Sequence, residues 1–209
     1  LSTTTPELLD VQELLFSATL TEDAAIQEGI YNKAVELHND WRGYNNIACM
    51  HIANGDLNTA MAYLNKATSI SSENSDISTN KGIIAARIGE LANAQVLFDK
   101  AKTSELNQAI LDIRQGEYAK AARFYKNGKS FNATLAQLLN GKNSANCNEN
   151  TAACNYLNAI ANARSGNNDA AISSLTNAIN TDASYKSEAV KDLEFVNLRT
   201  NEAFISLTK

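Results

Sequence analysis

Two stretches between residues 41 and 101 repeat the same order of large, small and polar positions. In the first stretch, apolar residues at helical spacing lead into Gly55-Asp56, and a second apolar series follows that pair. A shift of about 34 residues places Gly89-Glu90 on Gly55-Asp56. The same shift aligns Ala48 with Gly82, Ala60 with Ala94, Leu64 with Phe98, and Ala67 with Ala101. We predict two helices in each stretch, joined at a glycine in the left-handed conformation.

The sizes of the aligned residues indicate how these helices pack. Small residues such as Ala48 and Ala60 allow the two helices of a pair to approach closely. The larger Leu64 and Phe98 are expected to fill the space between one pair and the next. Each pair therefore buries its apolar face only when it is stacked on a neighbour.

The strict period ends after Ala101, but the glycine signal continues. Gly116, Gly141 and Gly166 follow Gly89 at intervals of 27, 25 and 25 residues, too short for two full helices. The polar, asparagine-rich segment 143–150 stands where a second helix is expected, so that helix is predicted to be missing. Residues 184–209 have a different character, as the last element of a stacked array requires.

The period and these positions resemble the tetratricopeptide repeat, or TPR. The resemblance implies an all-α fold, a TPR-like α-α superhelix forming a right-handed solenoid of about five helix pairs, with irregular central units and a C-terminal capping segment. We predict a disordered N-terminal segment over 1–6 and a single solenoid over 7–209. Its best repeats are 41–74 and 75–108, its degenerate units are 7–40, 102–129, 130–151 and 152–183, and its cap is 184–209.

A second resemblance concerns the setting of the chain. The shortened central units and the motif Asp192-Leu193-Glu194-Phe195 are similar to the TPR segments of secreted Gram-negative envelope proteins, some of which carry an OmpA-like domain elsewhere. This implies an extracytoplasmic, periplasmic or outer-membrane-associated location, with the cytoplasm as the alternative. Because the chain begins at Leu1 without a leader, we expect a mature or trimmed fragment of a larger protein.

Composition narrows the classes of partner. The net charge of -5 and the pI of about 5.1 argue against nucleic acid or an anionic membrane, since both require a basic surface. No apolar run reaches the roughly 20 residues of a transmembrane helix. A protein or a peptide is therefore the expected partner.

The TPR resemblance places certain first-helix residues on a concave surface. Six of them are candidate partner-binding residues: Arg42, Asn45, Arg87, Arg114, Tyr156 and Arg164. Arginine stands two residues before glycine in three units, where guanidinium groups can clamp carboxylates in bidentate geometry. The alternative is that these arginines lie at helix ends because the helix dipole and water favour them there. The lysine and asparagine set of the carboxylate-clamp TPRs is absent, so a chaperone tail is not expected as the ligand.

The cysteines leave two alternatives open. Cys147 and Cys154 bracket the asparagine-rich segment and either close a small disulfide loop or remain reduced. A loop of this size would stabilise the fold by roughly 2.5 kcal/mol on the chain-entropy model, and it would favour an oxidising compartment. Cys49 is expected to be a small buried residue.

Chemistry-bearing motifs do not occur in the sequence. Zinc-type histidine spacing, CxxC, EF-hand, P-loop and nucleophile-elbow patterns are all missing, so we expect no catalysis, no metal and no cofactor. The predicted function is a non-catalytic protein-protein interaction or scaffolding module that binds a peptide or partner domain on its concave face, within a larger cell-envelope protein. The alternative is a structural spacer or self-assembly element without a peptide ligand, with a homodimer as one expected form.

Overall fold

The chain folds into consecutive helices, which a computed structural model describes for residues 2–126, 128–147 and 149–209. The α-helices are α1 (Val11–Ala18), α2 (Ala24–His38), α3 (Trp41–Asn54), α4 (Leu57–Ile70), α5 (Ser75–Ile88), α6 (Leu91–Ala101), α7 (Glu105–Arg114), α8 (Tyr118–Phe124), α9 (Phe131–Leu139), α10 (Ala152–Arg164), α11 (Asn168–Thr181), α12 (Ser184–Lys191) and α13 (Glu202–Thr208). Two 3-10 helices span Pro6–Leu8 and Leu193–Leu198. The predicted all-α class is confirmed, with no strand among the described residues.

Local signals set where the helices begin and end. The side chains of Asp40 and Asn74 accept hydrogen bonds from the first backbone N–H groups of α3 and α5. These two helices end at Gly55 and Gly89, whose φ angles are 81° and 91°. The predicted left-handed glycines are therefore confirmed, and each one turns the chain into the next helix.

Contacts between Cα atoms divide the chain into two compact units, residues 1–114 and residues 115–209. The boundary follows Arg114 and separates α7 from α8, which the sequence analysis assigns to one degenerate unit, 102–129. The single solenoid over 7–209 and the disorder of residues 1–6 stay predictions. Leu1 lies outside the described residues, residues 2–4 form a turn, and Pro6 begins a 3-10 helix.

In unit 1, each helix from α1 to α7 packs against the next one along the chain. Ala48, Ala60, Leu64 and Ala67 are fully buried where α3, α4 and α5 meet. Ala94 and Phe98 have the same role around α5 and α6. The aligned small and large positions are thus the core positions that the sequence predicts.

Unit 2 contains α8 to α13. The strongest packing joins α10 and α11, and α9 packs on both α8 and α10. Among the described residues of 140–151 there is no helix, which agrees with the predicted missing element. Phe195, Leu198 and Phe204 of the C-terminal segment are buried against the core of this pair. The irregular central units and the C-terminal cap are therefore confirmed.

A disulfide joins Cys147 to Cys154, with 5.6 Å between their Cα atoms. It ties the segment that replaces the missing helix to the first turn of α10. Asn158 strengthens this connection, because its side-chain amide donates a hydrogen bond to the Cys147 carbonyl oxygen over 3.1 Å. The loop is therefore held by a covalent and a polar contact where a helix would otherwise supply packing.

The close approach of α2 and α3 gives a test of the packing. A Cβ added to Gly43 would lie 2.5 Å from the Tyr31 carbonyl oxygen and 2.6 Å from Val35 Cγ2. We expect Gly43→Ala to destabilise unit 1 by about 2 kcal/mol, because overpacking outweighs the gain in helix propensity. The fluorescence of Trp41, the single tryptophan, reports the unfolding of this unit.

Gly29→Ala is the matched control, since a Cβ at Gly29 in helix α2 meets nothing within 4 Å. This substitution should stabilise the unit by up to about 1 kcal/mol. Equal effects of the two substitutions would contradict the close approach of α2 and α3.

The disulfide is tested by counting thiols. Protein purified without reductant and unfolded in an alkylating reagent should label only at Cys49, with Cys147 and Cys154 recovered as one linked peptide in mass spectrometry. Cys49 is the internal control for reagent access. Quantitative alkylation of all three cysteines would show that the loop is reduced.

Candidate functional site

The first helices of successive pairs lie side by side in unit 1. Helix α5 contacts both α3 and α7, so the three helices share one face. A cavity of about 300 Å³ opens between α5 and α7. Its lining residues are Ile83, Ala86, Arg87, Phe98, Asn107, Ile110, Leu111 and Arg114, and we call this cavity the α5–α7 groove. It combines an apolar floor with two arginines, and no acidic side chain is among these lining residues.

Both arginines of the groove bind the end of the preceding first helix. Arg87 donates from Nη1 to the Ile52 carbonyl oxygen over 2.6 Å, and Arg114 donates from Nη1 to the Ala86 carbonyl oxygen over 2.9 Å. Each acceptor lies three residues before a helix-ending glycine and also accepts a hydrogen bond from the N–H of that glycine over 3.2 Å, so the arginine occupies the second acceptor position of the carbonyl oxygen. The positive guanidinium also suits the negative end of the helix dipole.

These bonds position the arginines without using all of their hydrogen-bonding capacity. A guanidinium group carries five N–H donors, and one nitrogen of each arginine holds the carbonyl. Arg87 and Arg114 are both exposed. The arginines therefore lie at helix ends, as the alternative interpretation predicts, and this contact holds them in place. Their remaining N–H donors are exposed and can bind a ligand.

Asn45 is buried in the structure, although the sequence predicts it on the partner-binding surface. Its side chain is only 7% exposed and accepts a hydrogen bond from the side-chain amide of Asn80 over 2.9 Å. The same Asn80 amide lies 3.3 Å from the sulfur of Cys49. Cys49 is exposed, so its predicted burial was wrong. Asn80 was missed by the sequence analysis, although a polar residue recurring on adjacent first helices is the signal that marks it.

Arg42 has its charge compensated locally. Its guanidinium forms two hydrogen bonds with the Asp40 carboxylate, of 2.9 Å from Nε and 2.7 Å from Nη2. The hydrogen bond from Arg42 lowers the pKa of Asp40 below its usual value. Since Asp40 also caps α3, the Arg42 side chain belongs to the start of that helix.

The two candidates in unit 2 have internal partners as well. Arg164 forms an ion pair with Glu194 over 2.8 Å, so the motif at 192–195 neutralises this arginine. Tyr156 is 4% exposed, and its hydroxyl group donates a hydrogen bond to the Asp192 carboxylate over 2.8 Å. Burial first, and then the Asp192 carboxylate, raise the pKa of the Tyr156 phenol. Of the six candidates, only Arg87 and Arg114 are brought together in one groove.

Within the residues that the structure describes, no group of three or more histidine, cysteine or acidic side chains is arranged to hold a metal ion. No described helix combines the length and the apolar character needed to cross a membrane.

Comparisons with known proteins identify the repeat. Residues 42–74, which contain most of α3 and all of α4, match the family model described as "Tetratricopeptide repeat". The crystal structure of YrrB, described as "a TPR protein with an unusual peptide-binding site", is similar with a TM-score of 0.39 and 17% sequence identity, over 85% of this chain and 88% of that one. A comparison with the curated proteins gave no match. Residues 42–74 therefore match a tetratricopeptide repeat, within an all-α fold of consecutive helices.

Proposed function

We propose that this protein is a non-catalytic interaction module that binds an extended segment of a partner protein in the α5–α7 groove. Stacked helical repeats typically serve as protein-binding surfaces. The observation that carries the proposal is the pair of exposed arginines beside an apolar floor, each fixed by a backbone carbonyl. Fixed donors lose less conformational entropy when a ligand binds.

The proposed class of ligand follows from the chemistry of the groove. Apolar side chains of an extended segment would contact Ile83 and Ile110, while a carboxylate would accept hydrogen bonds from the guanidinium groups. Such charge-assisted hydrogen bonds contribute roughly 1.5–3 kcal/mol each.

The surroundings of the groove restrict the number of acidic residues in the ligand. Unit 1 contains fifteen acidic and eight basic side chains, so the two arginines form a local positive patch on an acidic unit. At physiological salt the Debye screening length is about 8 Å. Repulsion between an acidic ligand and distant carboxylates of unit 1 is therefore weakened, but repulsion from a carboxylate in direct contact with the ligand is not. The favoured ligand therefore carries one or two acidic residues among apolar ones, and a polyacidic tract is disfavoured.

We also propose an extracytoplasmic setting within a larger envelope protein. The resemblance of the shortened units to envelope TPR segments supports this, and so does the Cys147–Cys154 disulfide, because such bonds persist in oxidising compartments.

A peptide array tests the ligand class. Apolar dodecamers are each made in three forms, with glutamate, glutamine or lysine at one central position, and probed with the full chain. We expect the glutamate forms to be captured most strongly and the lysine forms least. Equal capture of the three forms would contradict the proposal and favour the spacer alternative.

The groove itself is tested by substitution. Arg87→Ala combined with Arg114→Ala should weaken binding of the best glutamate dodecamer by at least about tenfold in fluorescence anisotropy, since the loss of even one charge-assisted hydrogen bond corresponds to that factor. Arg123→Ala is the matched control, since Arg123 is exposed on α8 outside the groove. Circular dichroism verifies that each variant remains helical. Equal losses in the control and the double variant would place the binding elsewhere.

A further inference from the structure

Unit 2 has a groove of its own. A cavity of about 470 Å³ is lined by Phe131 and Leu135 of α9, Tyr156 and Ile160 of α10, and Tyr185, Glu188, Lys191 and Asp192 on and after α12. We call it the unit 2 groove. Its volume lies within the usual range for ligand-binding clefts and is large enough for more than one side chain.

Aromatic contacts and hydrogen bonds hold the apolar wall of the unit 2 groove in place. The ring of Tyr156 lies 4.6 Å from the ring of Tyr185 and 5.6 Å, edge to face, from that of Phe195. Its hydroxyl is fixed by Asp192, whose other carboxylate oxygen accepts a hydrogen bond from the Glu194 backbone N–H over 2.9 Å. Phe195 and Ile160 are fully buried. The wall is therefore a rigid aromatic and aliphatic surface.

The rim of the groove carries an excess of negative charge. Glu188 and Lys191 are exposed, and neither forms an ion pair with another residue in the described parts of the chain. Asp192 adds a second carboxylate beside them. The pKa of the Tyr185 phenol is raised, first by burial and then by the carboxylates of Asp182 and Glu188. The groove thus places two carboxylates and one ammonium group around an apolar wall.

We propose that the unit 2 groove is a second binding site, which takes a partner segment with a large apolar side chain followed directly by a basic one. The apolar side chain packs against Phe131, Leu135 and Ile160. The basic side chain pairs with Glu188, whose carboxylate is exposed, and lies over the half-buried ring of Tyr185 as a cation–π contact. This charge preference is opposite to that of the α5–α7 groove, and it rests on different residues.

Capped dipeptides measure the charge preference. The isotope-labelled full chain is titrated with acetylated and amidated Phe-Arg, Phe-Gln and Phe-Glu, and backbone amide shifts are followed by NMR. We expect the amides of Leu135, Ile160 and Tyr185 to shift most, and Phe-Arg to bind about threefold more tightly than Phe-Gln. Equal affinities, or shifts centred on another surface, would overturn the proposal.

Two substitutions on one helix turn separate the effect of charge from that of shape. Glu188→Gln should abolish the preference for Phe-Arg, while Lys191→Gln should increase it, because it removes the single positive charge of the rim. Both side chains are exposed, so neither change disturbs the core. If both substitutions changed the preference for Phe-Arg over Phe-Gln in the same direction, the proposed ion pair between the arginine and Glu188 would be refuted.

A third variant tests the apolar wall. Leu135→Lys places a charge where the apolar side chain should bind, and binding of all three dipeptides should be lost while circular dichroism remains helical. The double variant Arg87→Ala with Arg114→Ala should bind Phe-Arg as the natural chain does. That result separates failure of this proposal from failure of the one for unit 1.

Discussion

Close stacking of helix pairs is the constraint on which the rest of this structure depends. A short amphipathic helix cannot bury its apolar stripe alone, so it relies on a neighbour that approaches at small residues. Gly43 has no room for a methyl group beside the Tyr31 carbonyl, and Ala48 and Ala60 are fully buried. This approach brings α3, α5 and α7 onto one face and thereby creates the groove between α5 and α7.

The arginines connect this stacking to the proposed binding chemistry. Helices α3 and α5 end at Gly55 and Gly89, and the carbonyls of Ile52 and Ala86 near those ends can accept a second hydrogen bond besides the one from the glycine N–H. Arg87 and Arg114 supply a donor to those carbonyls and face the groove at the same time. A feature that links successive helix pairs therefore also fixes two positive charges on the surface of unit 1. Because Arg164 pairs with Glu194, the three arginines of the sequence series do not have one common role.

The sequence predicts those features that depend on residue size and period. Helix pairs, the left-handed Gly55 and Gly89, the buried Leu64 and the missing helix after α9 all follow from spacing. The sequence does not predict which polar side chains bind one another.

The errors in the predicted exposure and pairing of side chains have two causes. Some polar partners are distant in sequence, and one predicted buried side chain lies one position away from a core residue on its helix. Asn45 meets Asn80 and Arg164 meets Glu194 only after the helices are packed. Cys49 lies next to the buried Ala48 yet faces outward, since one residue rotates the side chain by about 100° around a helix. A repeat pattern therefore predicts the residues of the core better than the residues of the binding surface.

Crosslinking tests the central claim most directly. An apolar dodecamer with one central glutamate, chosen for its binding to the full chain, carries a photoreactive diazirine on the apolar residue beside that glutamate. After irradiation, mass spectrometry identifies the attachment points. The account predicts crosslinks within residues 83–87 of α5 and 107–114 of α7. Crosslinks centred on α4 or α6, or within unit 2, would contradict it.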